Sequence, residues 1–402
     1  MEPKKTSNRE FTSRMELNIG KKCNIDCKFC FYLDQLDQPF EDYDALICRL
    51  KKYREIGINK IHIVGGEPTI YKRLFDLVRD AKDLGFINTG VITNGIMLKN
   101  KAYVEQCKEA GIEFFAISLH GHTPEIHNEL TQSKNSFEFA MRGIENLKEL
   151  GIPFFINLVV TKKNLPYLVE FSELMVKLKP GMVTYLYFNP VRFATSRFAS
   201  NMVDEMIGQM QEKHSNTSNY LNESVKLLDK NNIKVYFKFL PYCVLTSPSE
   251  HFLGDVLQGF YEDWEWNYQK SFLLDAGKKE YRKMQLICFK NFSKEQINNL
   301  PLRILTYINC VSYSNFVKPE SCKNCKYFYI CLGINENYVN FYGDKEFIPV
   351  PGEKYVNPAT LLYKDEPDRF KLSLREKIIN NLIYFISKHF YAKTPIPFKG
   401  ER

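Results

Sequence analysis

No uninterrupted apolar run of about 18 residues occurs in the chain, so an ordinary membrane-spanning helix is not expected. The opening MEPKKTSNRE has none of the apolar core of a secretory signal, and a cytoplasmic location is expected. Gly/Ser linkers, low-complexity tracts and internal repeats are also missing, which points to domains docked on one another rather than tethered. Positive charge is present but not gathered: 55 Lys+Arg against 47 Asp+Glu leave +8, scattered over 402 residues. That is neither a disordered polyelectrolyte nor the basic stripe of a nucleic-acid binder, so nucleic acid is not an expected partner. With 44% hydrophobic and 25% charged residues, what remains is an ordinary folded chain, long enough for a sizeable core and two or three domains.

Cysteine is what the chain has in quantity. Eleven Cys, an odd number without an export signal, do not suit a disulfide framework. Cys23, Cys27 and Cys30 crowd together, as do Cys322, Cys325 and Cys331. Two tight triplets suggest two soft-metal sites, since thiolate is the ligand that zinc, Cu(I) and iron–sulfur clusters select. Cys48 and Cys107 fall in predicted helices and are expected in the core. Cys243, Cys288 and Cys310 stand alone.

The apolar pattern alternates short strands with amphipathic helices. Strands are predicted at 15–19, 60–64, 87–93, 114–119, 153–160 and 183–188, and helices at 41–55, 70–84, 97–110, 136–150 and 166–178. Gly85, Gly111 and Gly151 stand where helix C-caps are expected. Six βα units imply a parallel sheet with helices outside, an open barrel whose site lies on the loops after the strands. Beyond about residue 190 the pattern changes: 203–229 reads as helix, Lys234 to Phe239 as a strand, and 372–389 as a helix. Residues 252–272 are rich in aromatics, suited to packing over the barrel mouth or to walling a substrate pocket.

The spacing Cys23-x3-Cys27-x2-Cys30 puts three thiolates on a short loop after the first strand. Such a loop can hold three corners of a cubane and leaves one iron for a small ligand; a zinc knob is the alternative, although zinc usually recruits a nearby fourth Cys or His. Phe29 precedes the last Cys, and Gly65-Gly66-Glu67-Pro68 follows the second predicted strand. On these residues the chain resembles the radical SAM superfamily over roughly residues 14–230. The resemblance implies a partial (β/α)6 barrel, a [4Fe-4S] cluster on Cys23, Cys27 and Cys30, and S-adenosylmethionine (SAM) bound through its amino and carboxylate groups at the open iron. Reductive cleavage would then give a 5′-deoxyadenosyl radical that abstracts hydrogen from a substrate. Cofactor contacts implied by the resemblance are Phe29, Gly65, Gly66, Glu67, Thr93, Asn94, Ser118 and Asn157. Many relatives carry an Arg about a dozen residues after the Ser; here the stretch His127-Asn128-Glu129-Leu130-Thr131 has none, and Lys162 or Lys163 are candidates for the carboxylate. His120, His122 and His127 are expected as loop or cap residues. No catalytic residue beyond the cluster is assigned.

Cys322-x2-Cys325-x5-Cys331 resembles the SPASM and twitch extensions that hold auxiliary iron–sulfur clusters. Asn335 stands where a full SPASM motif carries another Cys. Too few Cys remain for two fully ligated auxiliary clusters, so one auxiliary [4Fe-4S] cluster is expected. Its fourth ligand is expected to be Cys243, which follows a predicted strand, with Cys310 the alternative and structural zinc the bland reading. The expected division is 14–230 for the core, 231–365 for the auxiliary-cluster domain and 366–402 for a C-terminal helical segment. With the core beginning near residue 14, no separate leader-peptide-binding domain is expected ahead of it, which argues mildly against a peptide maturase with a fused recognition module. Expected partners are an electron donor such as flavodoxin or ferredoxin and a peptide or small natural-product substrate, with a sugar-type molecule or a non-catalytic scaffold as alternatives.

Overall fold

The computed structural model describes residues 14–30, 32, 35–55, 59–188, 200–245, 251, 316–328, 331 and 333–355. Cys288, Cys310, the aromatic segment 252–272 and the expected helix 372–389 lie outside these residues.

Seven strands form one sheet in sequence order, each parallel to the next. They are β1 (Arg14–Asn18), β2 (Lys60–Val64), β3 (Asn88–Thr93), β4 (Phe114–Ser118), β5 (Phe154–Val160), β6 (Met182–Tyr187) and β7 (Lys234–Lys238). The helices between them are α1 (Tyr43–Glu55), α2 (Leu74–Asp83), α3 (Lys101–Ala110), α4 (Pro124–Thr131), α5 (Ser136–Glu149), α6 (Leu168–Leu178), α7 (Ser200–Met210) and α8 (His214–Lys230). The sheet therefore runs one strand beyond the six βα units read from the first half: the strand foreseen at 234–239 pairs with β6. Helix α4, read from sequence as loop, is the other addition.

Alternation along each strand decides which side faces what. Leu17, Ile63, Val91, Ile117, Ile156, Tyr185 and Phe237 join Leu46, Leu77, Val78, Ile144 and Phe171 of the helices in one buried core. Tyr185 adds a polar tie, its hydroxyl sharing hydrogen bonds with Ser172 of α6 and Ser224 of α8. The alternate residues, among them Asn18, His62, Ser118, Asn157 and Lys238, belong to the inner face. There Gly90 is paired with Phe114, and a Cβ on Gly90 would fall 2.0 Å from the Phe114 ring. The missing side chain lets that ring lie across β3 and meet His62 and Phe155.

Of the lone cysteines, Cys107 is fully buried as expected. Cys48 is exposed, against expectation, because the buried stripe of α1 runs through Leu46, Leu50 and Tyr53 and leaves Cys48 on the other side. The C-terminal part contains β8 (Phe316–Val317) antiparallel to β9 (Ile334–Asn335), followed by α9 (Glu336–Tyr342). It docks on the sheet domain through Tyr338, whose hydroxyl accepts from the His214 amide at 2.9 Å, and through the Tyr342 hydroxyl, which donates to the Gln211 carbonyl.

Candidate functional sites

The first cysteine triplet hangs from the carboxyl end of β1, and its loop is tied down on every side. Asn18, buried at the strand end, accepts from the Gly20 amide at 2.9 Å and donates to the Tyr32 hydroxyl at 2.7 Å. The Cys23 amide donates to the Leu36 carbonyl and the Lys28 amide to the Leu130 carbonyl. Phe29 is buried with Ile126, Leu130, Phe188, Ile207 and Met210, and its ring meets His120 edge-on at 4.5 Å. Its visible role is to anchor the loop.

The Gly65-Gly66-Glu67 turn is packed against that same loop. The Gly66 amide donates to the Gly20 carbonyl and the Glu67 amide to the Lys22 carbonyl. A Cβ on Gly66 would lie 2.1 Å from the Lys22 carbonyl oxygen and 2.2 Å from that of Lys21. The close approach that needs glycine is thus between two stretches of this chain's own backbone. Glu67 is almost wholly buried, and its carboxylate accepts from the Thr69 amide and hydroxyl, the Thr93 hydroxyl and the Asn94 amide. Burial raises its pKa, and those hydrogen bonds oppose the rise. Asn94 reaches on to Asn24, beside Cys23, at 2.8 Å. Gly65, Gly66, Glu67, Thr93 and Asn94 are therefore one knot joining β2, β3 and the cysteine loop. Ser118 and Asn157 lie elsewhere, directly paired across β4 and β5 and half-buried.

The thiols themselves are partly exposed. Burial pushes Cys23 up to about 12 and Cys30 up to about 11. Cys27 is raised by burial, and then by the neighbouring thiols of Cys30 and Cys23. Three soft donors kept protonated by burial suit a polycationic centre, which would draw off the protons. Lys162 and Lys163 are engaged within the protein: Lys163 pairs with Glu129 at 2.6 Å, and Lys162 donates to the Gly208 carbonyl. Glu129 also pairs with Lys28 of the cysteine loop. His120, in the loop after β4, and His127, on α4, are buried and bind backbone locally: the His127 Nδ1 accepts from the His120 amide, and the His120 Nδ1 from that of Val159.

The second triplet and Cys243 line one small cleft, together with Tyr242, Lys318 and Tyr327. Cys243 is raised by burial first and then by the thiols of Cys331, Cys325 and Cys322. Burial raises Cys331 as well, against the opposing charge of Lys318 and the amides of Tyr242 and Gly333. The Asn335 side-chain oxygen caps α9, accepting from the Asn337 and Tyr338 amides. Among the described residues, no three His, Cys, Asp or Glu side chains converge as closely as a single metal ion requires. No described helix is long and apolar enough to cross a membrane.

Sequence reasoning missed Asn18 and Asn24, and named His120 and His127 without foreseeing that the His127 ring accepts from the His120 amide. The available signal was an Asn at the end of a strand leading straight into a cysteine loop.

Residues 17–175 match the family model described as the Radical SAM superfamily. A "Probable GTP 3',8-cyclase" of Saccharolobus islandicus is 28% identical over 179 residues, 44% of this chain and 57% of that protein. An "AdoMet-dependent heme synthase" of Oleidesulfovibrio alaskensis is 33% identical over 162 residues, 39% of this chain and 40% of that one. The chain thus spans about half the length of these curated relatives. Among solved structures, anSMEcpe with bound AdoMet and Kp18Cys peptide aligns with 94% of this chain and 99% of that one, at 14% identity and a TM-score of 0.47. Streptococcus suis SuiB bound to precursor peptide SuiA aligns with 49% of this chain and 46% of that one, at 20% identity and a TM-score of 0.41. Residues 17–175, a run of βα units with the cysteine loop at its first strand, are a radical SAM domain, of an enzyme superfamily that works with a [4Fe-4S] cluster and SAM.

Proposed function

We propose that this chain cleaves SAM reductively and directs the resulting radical at a C–H bond of a peptide or small natural-product substrate held inside the barrel. The observation that carries this reading is the thiol trio Cys23, Cys27 and Cys30, held at the mouth of the sheet by the buried Glu67 knot. A cluster bound there would supply one electron to the sulfonium of SAM and leave the protein only orientation and water exclusion to provide. Gly66 and Glu67 set the cysteine loop against β2 and β3, while Ser118 and Asn157 offer half-buried hydrogen-bonding groups toward the cofactor.

In the same reading Cys243, Cys322, Cys325 and Cys331 hold one auxiliary [4Fe-4S] cluster, which accepts or relays electrons. Zinc would draw four thiolates to about 2.3 Å from a single point. The four thiols share one cleft, and metal analysis decides between the two. The core would comprise residues 14–230 together with β7, and a reducing partner of the flavodoxin or ferredoxin kind would supply electrons. The names of the curated relatives, a GTP cyclase and a heme synthase, do not choose one substrate class for this chain.

The test is anaerobic incubation of reconstituted protein with SAM and dithionite. Formation of 5′-deoxyadenosine by the wild type, abolished in Cys27→Ala, is expected. A wild type that forms none is a scaffold or electron carrier instead.

A further inference from the structure

We propose that Lys318 raises the reduction potential of the auxiliary cluster; this rests on the reading of Cys243, Cys322, Cys325 and Cys331 as a [4Fe-4S] site. Lys318 directly follows β8, whose Val317 is paired with Ile334 of β9. That pairing lays it beside Gly333, where a Cβ would come 3.1 Å from the Lys318 Cγ and 2.6 Å from the Val317 carbonyl oxygen. The ammonium donates to the Phe328 carbonyl at 2.6 Å and lies 5.0 Å from the centre of the Phe328 ring. Phe328 and Gly333 stand on either side of Cys331 in the chain, so stem and head of the lysine are both fixed to the loop that carries this thiol.

Among the described residues that line the cleft with the four thiols, Lys318 is the only cation and there is no carboxylate. Tyr242, Tyr327, Ile334 and Phe347 make much of the remaining wall apolar. Burial raises the pKa of Cys331 and of Cys322, and the charge of Lys318 opposes both rises; Asp344 is the counter-charge felt at Cys322. A [4Fe-4S] core held by four thiolates is an anion, and reduction adds one more negative charge. A cation fixed in an apolar cleft therefore stabilises the reduced state more than the oxidised one. The Gly333 amide, which donates to the Cys331 Sγ at 3.4 Å, acts in the same direction. One electron moves in that step: a flavodoxin- or ferredoxin-type donor loses it and the cluster gains it.

Redox titration of the reconstituted protein, followed by electron paramagnetic resonance on the signal that SAM does not shift, tests the assignment. Lys318→Met should lower the midpoint, so that at the wild-type midpoint the ratio of reduced to oxidised cluster falls about tenfold, a shift of about 59 mV. Lys318→Gln, which keeps a donor for the Phe328 carbonyl without the charge, should shift it the same way, and Lys318→Arg should stay close to wild type. The variants are compared at equal iron content, about eight atoms per chain. An unchanged midpoint in Lys318→Met and Lys318→Gln overturns the proposal, as does an equal fall in Lys318→Arg. Loss of the second-site iron in both uncharged variants makes Lys318 a structural residue and overturns it too. So does an equal fall in Lys354→Met, whose exposed ammonium lies 5.3 Å from the centre of the same ring, since general surface charge would then be the cause. A wild type with only about four irons removes the auxiliary cluster and the proposal together, whereas about eight irons with an unchanged midpoint removes the proposal alone.

Discussion

At the scale of single residues, the most constrained position is Gly66. Any side chain there meets the Lys21 and Lys22 carbonyl oxygens, which are backbone and cannot swing aside. Gly66→Ala should therefore push the cysteine loop off the sheet and lower bound iron by about four atoms per chain, leaving the second site filled. Iron and sulfide analysis checks this; full iron content in the variant would show that the loop can give way. The motif containing Gly66 was legible in the sequence, but its local reason was not. A glycine pair reads equally well as an approach to a ligand or to another strand of backbone, and only the fold shows Lys21 and Lys22 behind it. Asn18 and Asn94 were less legible still, since an Asn near a turn has many uses and their partners Tyr32 and Asn24 are remote or across the sheet.

At the scale of elements, the hydrophobic pattern placed the strands and most helices because each packs one face on a shared core. It did not reveal that β7 belongs to the parallel sheet, since pairing depends on where α8 returns the chain. That return also explains how Cys243, five residues past the end of β7, comes to share a cleft with a triplet far along the sequence. Cys243→Ala and Cys325→Ala should each lower iron by up to about four atoms per chain. If zinc falls instead and iron stays, the second site is structural. Cys48 shows the opposite limit: a helical position and an apolar residue type suggested burial, but the actual stripe of α1 passes it by.

At the scale of the whole molecule, the sheet domain and the C-terminal part are joined around a buried imidazole. His214 stacks on Tyr187 at 4.4 Å and meets Tyr338 and Phe347. Burial lowers the pKa of His214 and of His127 to about 3, and lowers that of His120 as well. In the unfolded chain these groups titrate near about 6.5, so at mildly acidic pH the unfolded state binds more protons. Their contribution to stability is complete above about pH 6.5 and is lost as pH falls toward about 3. The unfolding midpoint should drop between about pH 7 and about pH 5, less steeply in His214→Phe. An equal slope in the variant would place the acid sensitivity elsewhere. On the proposed reading all of this scaffolding presents one feature, the thiols of Cys23, Cys27 and Cys30, which would hold three corners of a cluster and leave an iron free for SAM. Electron paramagnetic resonance of the dithionite-reduced protein tests it most directly. SAM should shift the signal of the first cluster, and the shift should vanish in Cys27→Ala; a reduced wild-type spectrum indifferent to SAM would contradict the account.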